Sequence, residues 1–494
     1  MMSTRKSIIK GGSWIGGATV ILAAVHSVQL ILLARLLVPA EYGVVSILML
    51  VLSFVELLML SGIANAIIQR SAATRNELSS LHWLNTSVGV VLGALLMLLS
   101  PVIARYFDAP ESITPLMILS LAVPLNSQTH VKRACMEKTM AFREVATIEL
   151  TAGLMQSAAL ILGAGICGVR GVAIGLVLGF GLRALLFHMI GRRYVKLRFH
   201  FRYADTTRFL SFGVYQMLNS FVGFIDGSLA SLVVGRALSV ASLGGYTLAY
   251  NVSVNIPGKI NPIITRVMYP VLAKTGDDAG KFSRIVLLLI KTTGLLSSPL
   301  LVSLCVTAPI VVPMIFGEPW RWTSVLVQIL AVAGICRAIN NPIGIIIMAK
   351  DRQRLGLVIN IFKTVFSLVI MLTMVSHLGV MGAAFSIVLL GFVTMATNIV
   401  LVRRLASVRW RDALSSHLIP IALCIPASAV GFGVYRLALE GLGGVSTAIV
   451  CTVLVFATYF GVARIFRVDV VIAAFRGLRE KLTDGAQSFK YARK

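Results

Sequence analysis

Blocks of some twenty apolar residues, the length a helix needs to cross a hydrocarbon core, alternate with short polar clusters along nearly the whole chain. They fall near 12–36, 43–66, 81–104, 113–131, 145–167, 171–190, 210–234, 244–272, 285–308, 323–349, 357–378, 381–402, 415–438 and 445–465. The pattern predicts about fourteen membrane-spanning helices joined by short loops. One block breaks the pattern. NVSVNIPGKINPIITRVMYP, Asn251 to Pro270, carries three prolines, three asparagines, a lysine and an arginine inside an expected span. At about 100° per residue, Asn251, Asn255, Lys259, Pro262 and Arg266 fall within roughly 80° of one another, so the polar residues form a stripe.

Composition turns this pattern into a fold class. The 494 residues are 57% hydrophobic and 13% charged, with a mean hydropathy of +0.90, too apolar for a soluble fold with a polar coat. The expectation is an all-α polytopic membrane protein whose main partner is the lipid bilayer. A net charge of +26 would also suit a nucleic-acid partner, but the placement of the charges argues against one. Most of the 45 Lys and Arg lie in alternate loops, including Arg192, Arg193, Lys196, Arg198, Arg202 and Arg208 between the two halves. The opposite loops hold only Arg35, Arg105, Arg170, Arg236, Arg321 and Arg436. The positive-inside rule then puts both termini in the cytoplasm. The start, MMSTRKSIIKGGSW, leads into a full-length span without a small-residue cleavage site, so a retained first helix is expected. The six cysteines are scattered singly, without metal-ligand spacing.

The two halves match in order. ARLLVPAEYG from Ala34 pairs with GRALSVASLG from Gly235 at an offset of 201, and SLAV at 120–123 with ILAV at 329–332 at 209. GVRGVAIGLVLG from Gly168 pairs with GVMGAAFSIVLLG from Gly379 at 211, and MEK at 136–138 with MAK at 348–350 at 212. Matched loops fall on the same side, so the repeats are parallel. This predicts a six-helix lobe over 1–190, a basic cytoplasmic linker over 191–209 and a second six-helix lobe over 210–402. An extra helix pair over 403–465 and a basic tail over 466–494 follow.

Ionisable side chains near mid-bilayer normally face the bundle interior or a water-filled path. Lys259 lies fifteen residues from Lys274, roughly 22 Å along a helix, too deep for snorkelling. Arg337, Asn340, Asn341 and Gly344 share a second helical face, and Gln216, Asn219, Gly223 and Asp226 a third. Glu56 is deep in the first lobe. Asp226 and Glu56 have two readings, as ion-coupling carboxylates or as structural partners of Arg337 or Lys259. Arg183, Lys291 and Lys363 lie close to basic cytoplasmic ends and are expected to snorkel. Glu149, near Arg143, stands between an interfacial carboxylate and a site residue. The five tryptophans, Trp14, Trp83, Trp320, Trp322 and Trp410, fall at helix ends as headgroup anchors.

No phosphate-loop, nucleophile-elbow or HExxH pattern is present. The expectation is a transporter, not an enzyme, with no cofactor and with energy drawn from substrate flow or from a gradient of H+ or Na+. A membrane enzyme of envelope assembly needs a sizeable catalytic loop, and the outer loops here are about fifteen residues or fewer.

GIANAIIQR (62–70), GGYTLAYNVSVNIPGKINPIITRVMYP (244–270), FGEPW (316–320) and NNPIGIIIMAK (340–350) resemble the Wzx-type lipid-linked oligosaccharide flippases. These belong to the multidrug/oligosaccharidyl-lipid/polysaccharide exporter superfamily, and the colanic acid exporter-like branch is the nearest in pattern. The resemblance implies the MATE-like two-lobe fold of that superfamily. It also implies export, by alternating access, of undecaprenyl-pyrophosphate-linked oligosaccharide repeat units for exopolysaccharide, capsule or lipopolysaccharide biosynthesis. A polymerase and a chain-length regulator of the same pathway are the implied partners. On this reading Lys259, Arg266 and Arg337 suit the pyrophosphate, and Asn251, Asn255, Asn261, Asn340 and Asn341 the sugar hydroxyls. Glu56 and Asp226 are then the candidates for ion coupling. The alternative is a multidrug or cation antiporter of the same superfamily, whose cavities favour acidic residues; the cationic stripe argues against it.

Overall fold

The computed structural model describes residues 2–59, 67–68, 73–255, 268, 271–272, 275, 278–438 and 444–466, and every regular element among them is helical. Ten described helical stretches are long and apolar enough to cross a membrane. In chain order the helices are α1 Met2–Leu36, α2 Pro39–Leu58, α3 Arg75–Tyr106, α4 Ile113–Ser120, α5 Ala122–Ser127, α6 His130–Lys138 and α7 Phe142–Gly191. Next come α8 Thr207–Ala237, α9 Val240–Tyr250, α10 Ala279–Phe316, α11 Thr323–Asn340, α12 Ile343–Ala349 and α13 Gln353–Ala406. The last three are α14 Trp410–Ala422, α15 Cys424–Ala438 and α16 Gly444–Ile465.

Local chemistry sets the helix starts. Pro39 opens α2, and Glu41 Oε2 accepts from the Val38 amide at 3.1 Å. Thr74 and Glu77 form a reciprocal capping box before α3. Asp278 caps α10 by accepting from the Lys281 amide at 3.0 Å.

Two helices are double length, α7 with 50 residues and α13 with 54. Each holds two of the expected spans, turning at Gly168 (φ 56°, ψ −135°) and at Gly379 (φ 57°, ψ −137°). A side chain is strongly disfavoured in that backbone region. The expected 113–131 span is built from α4 and α5, and the 244–272 span lies partly outside the described residues.

The repeat recurs in the backbone. The end of α6 donates Thr139 N to Cys135 O, Met140 N to Glu137 O and Ala141 N to Met136 O. The end of α12 donates Lys350 N to Ile346 O, Asp351 N to Met348 O and Arg352 N to Ile347 O. Every pair is offset by 211, as are the two turning glycines, so MEK and MAK align one residue away from their sequence register. Ahead of α2 and α9, Leu37 N bonds Leu33 O and Leu238 N bonds Val234 O, at an offset of 201.

Those two helix starts also meet. A Cβ on Gly43 would lie 2.0 Å from Val240 O, and one on Gly244 would lie 2.2 Å from Pro39 O. Val240 stands 201 residues after Pro39, and Gly244 stands 201 after Gly43. The contact is therefore reciprocal, and only glycine allows so close an approach.

The chain divides into two compact units, Met1–Leu248 with Asn360–Ala383, and Ala249–Ile359 with Ala384–Lys494. In the first, α7 receives α1, α4 and α5, and α2 packs on α8. In the second, α10 is the central helix, covered by α11, α14, α15 and α16. Its core joins Phe282, Val286 and Leu289 to Ala413, Ala427, Val455 and Tyr459, so the final helices are built into it. Outward positions are apolar: Leu98 is 76% exposed, Ile166 81% and Phe362 71%. That inversion is tolerable where hydrocarbon is the solvent.

Trp320 departs from the sequence expectation. Its indole is 1% exposed, because the Glu318–Trp320 turn folds onto α10 and carries the ring inward, where it packs as a core side chain.

Candidate functional site

In the second unit, α9 ends at Tyr250 and gives way to a π-helical turn, Asn251–Asn255, ahead of the prolines at 257 and 262. Wide turns of this kind recur at functional positions. Asn255 Nδ2 donates to Asn251 Oδ1 at 2.7 Å, so these amides hold each other. The turn is locked onto α11 because Ser253 Oγ donates to Val327 O at 3.2 Å, and Gly334 lies against Ser253 O. A side chain at 334 would force the two apart.

Arg337 projects from α11 and is exposed, with Nη1 donating to the Tyr250 hydroxyl at 2.5 Å. The expected cation thus stands beside the asparagine turn. Asn340 turns the other way: its Nδ2 donates to Gly391 O at 3.1 Å, and its Oδ1 accepts from Asn398 Nδ2 at 3.0 Å. Asn340 therefore joins α11 to α13, while Asn341, one residue on, is exposed. Lys259, Asn261 and Arg266 lie outside the described residues, as do the side chains of Gln216 and Asn219.

The carboxylates expected to couple ions are both engaged, in the first unit. Asp226 Oδ2 on α8 pairs with Lys363 Nζ on α13 at 2.8 Å, both side chains about a quarter exposed. This corrects the expectation that Lys363 snorkels: it neutralises a carboxylate within the spans, where an unpaired charge is costlier than a bent lysine stem. Glu56 Oε1 accepts from Asn126 Nδ2 at 2.9 Å and feels the field of Arg183. Arg183 lies 3.5 Å from Glu149, which also takes Arg133 at 3.1 Å, and Arg133 reaches Glu137 at 2.9 Å. Arg183 and Glu149 are thus members of a charge network. Sequence spacing could not have paired residues 137 apart such as Asp226 and Lys363. Tyr250 and Asn398 were missed because a single Tyr or Asn in an apolar run carries no pattern.

Residues 32–325 match the family described as "Polysaccharide biosynthesis protein". The lipopolysaccharide biosynthesis protein WzxC of Escherichia coli (strain K12) is 32% identical over 433 residues, 87% of this chain and 88% of the relative. The chain belongs to the polysaccharide biosynthesis protein family. Another relative, the teichuronic acid biosynthesis protein TuaB of Bacillus subtilis (strain 168), is 29% identical over 72% of this chain and 74% of its own. Among solved structures, the fold of this family member matches the lipid II flippase MurJ in an inward closed conformation. The TM-score is 0.72 at 15% identity, covering 92% of this chain and 99% of that one. An inward-facing multidrug resistance MATE family transporter matches with a TM-score of 0.54 at 17% identity, covering 78% and 94%. The all-helical, MATE-like fold expected from the sequence is shown by these likenesses.

Proposed function

We propose that this protein is a flippase that carries undecaprenyl-pyrophosphate-linked oligosaccharide repeat units across the inner membrane by alternating access. The observation that carries the reading is Arg337, an exposed guanidinium within a membrane-spanning stretch, held by Tyr250 beside the Asn251–Asn255 turn. A cation surrounded by amides suits an anionic diphosphate bearing sugars. Asn251, Asn255 and Asn341 face that ligand in this reading, together with Lys259, Asn261 and Arg266, and Asn340 holds α11 in place. The relatives named for lipopolysaccharide, teichuronic acid and succinoglycan biosynthesis support it. Both termini and the 191–209 linker are assigned to the cytoplasm by their charge. Glu56 is the better coupling carboxylate, because an ion arriving at Asp226 must displace the Lys363 ammonium.

An antiporter of organic cations is disfavoured by the same geometry. It needs acidic residues in its path, whereas Asp226 is paired with Lys363 and the exposed charge beside the asparagine turn is the Arg337 cation. The test is a deletion strain: lipid-linked repeat units should accumulate in the cytoplasmic leaflet and be exported again on complementation. A strain that exports its polysaccharide normally but becomes drug-sensitive would overturn the reading in favour of the antiporter.

A further inference from the structure

Lys132, the third residue of α6, is 4% exposed. Its stem packs along Gly191, where a Cβ would meet Lys132 Cβ at 3.4 Å, an ordinary van der Waals contact. Among the described residues its ammonium has one hydrogen bond, to His188 Nδ1 on α7 at 2.9 Å. For that bond the imidazole must be neutral, with its proton on Nε2. Two of the three ammonium donors are left over. The charged neighbour acting on Lys132 is a second cation, Arg192, which is exposed at the rim. On α3, His82 is 7% exposed with Nδ1 lacking any hydrogen-bond partner among the described residues, and its electrostatic neighbours are the Lys132 ammonium and the His188 imidazole.

No carboxylate among the described residues answers this cluster. Asp205 is held by Ser80 at 3.1 Å and His200 at 3.0 Å, while Glu137 and Glu149 are held by Arg133. A buried ammonium without an anion, beside a buried imidazole nitrogen without a partner, costs free energy that a bound oxyanion would recover. Phosphate oxygens accept from all of these donors at once. Burial and the Arg192 charge together pull the Lys132 amine down from the ordinary lysine value of 10.5 to about 8, as expected of a cation waiting for its anion.

We propose that Lys132, His82, His188 and Arg192 form an oxyanion site for a phosphate or diphosphate group, at the end of the first lobe that the charge bias assigns to the cytoplasm. His188 is half-buried and Arg192 exposed, so the cluster meets its surroundings through these two side chains. The site stands on its own chemistry. Only the choice of a lipid-borne diphosphate over a free one rests on the flippase reading, where it would receive the headgroup before Arg337 does.

The experiment uses the full chain in detergent, with thermal unfolding followed against inorganic pyrophosphate, a short prenyl diphosphate, and chloride at matched ionic strength. Both diphosphates should stabilise the wild type, the prenyl form at about tenfold lower concentration if lipid is the source; equal potency would identify the free anion. Lys132→Met keeps the length of the side chain and should weaken the apparent affinity about tenfold or more, whereas Lys281→Met, which removes an exposed lysine outside both sites, should leave the response unchanged. Arg192→Ser, at an exposed position, should weaken apparent affinity about tenfold, one charge-assisted contact. A Lys132→Met protein that responds as the wild type does overturns the site without touching the transport reading, whereas a wild type that responds to neither diphosphate overturns the site and also counts against Arg337 as a diphosphate ligand. Normal export by Arg337→Ala would do the reverse.

Discussion

The Arg337–Tyr250 bond joins two residues of different kinds of importance. If the guanidinium meets the diphosphate, Arg337→Ala should lower lipid-linked sugar export about tenfold or more at unchanged protein abundance, the worth of a charge-assisted hydrogen bond of about 1.5–3 kcal/mol. Tyr250→Phe should cost less, because it frees the arginine without removing it. Export and abundance measured together in both variants check this. Lys132 provides a pH test. Its amine is held near 8 when folded against an ordinary 10.5, so below about 8 the folded state bears the full cost of the charge. That cost fades as pH rises from about 8 towards 10.5. In phosphate-free detergent the wild type should therefore gain thermal stability relative to Lys132→Met between about pH 7 and about pH 9.5. A difference that stays flat or moves the other way would contradict the burial of the charge.

Among the helices, the turns at Gly168 and Gly379 have nearly the same dihedral angles and lie 211 residues apart. Substituting either by alanine forces a side chain into a disfavoured backbone region. The cost should be about 1–3 kcal/mol, read as a lower unfolding midpoint, and similar at the two positions. The helices α14 to α16 make a second test. Tyr459 donates to Pro420 O at 3.3 Å, Gly294 lies against Pro420, and Val455 reaches Gly431. Truncation after Arg411 should accordingly reduce membrane abundance more than it alters cargo choice; lost export at normal abundance would count against that. The sequence made the spans legible because hydrocarbon length and helical rise fix a block size. It made the repeat legible because a turning glycine tolerates few substitutes. It could not show that the 113–131 span is broken into α4 and α5, since a break between two short helices needs no special residue, nor that MEK and MAK align one position away from their best letter match.

For the whole molecule, the decisive quantity is how many buried charges have partners. The Asp226–Lys363 pair predicts a double-mutant signature. Asp226→Asn alone should lower abundance by leaving an ammonium unpaired, at a cost of about 3–5 kcal/mol, and Asp226→Asn with Lys363→Met should largely restore it. Restored abundance without restored export would give the pair a part in transport, whereas recovery of both would make it structural. Depth within an apolar block is enough to mark Asp226 and Glu56 as unusual, but their partners depend on which helix faces touch. Apolar periodicity is blind to that. Lys132, His82 and His188 were equally hidden, because three residues from three helices carry no spacing.

The glycine contact between the starts of α2 and α9 has a history written into it. Gly43 touches the carbonyl of Val240, and Gly244 touches that of Pro39, so each repeat offers the other the same patch. Self-complementary contacts of this kind are what a two-fold homodimer makes. The reciprocity is what would survive if a half-sized ancestor, one gene encoding one bundle, first paired with its own copy through a Pro39-to-Gly43 type surface and was later fused end to end. On that account the fusion added the 191–209 connection but inherited the interface, and glycine stands at both positions because a Cβ at either would have pushed the halves apart.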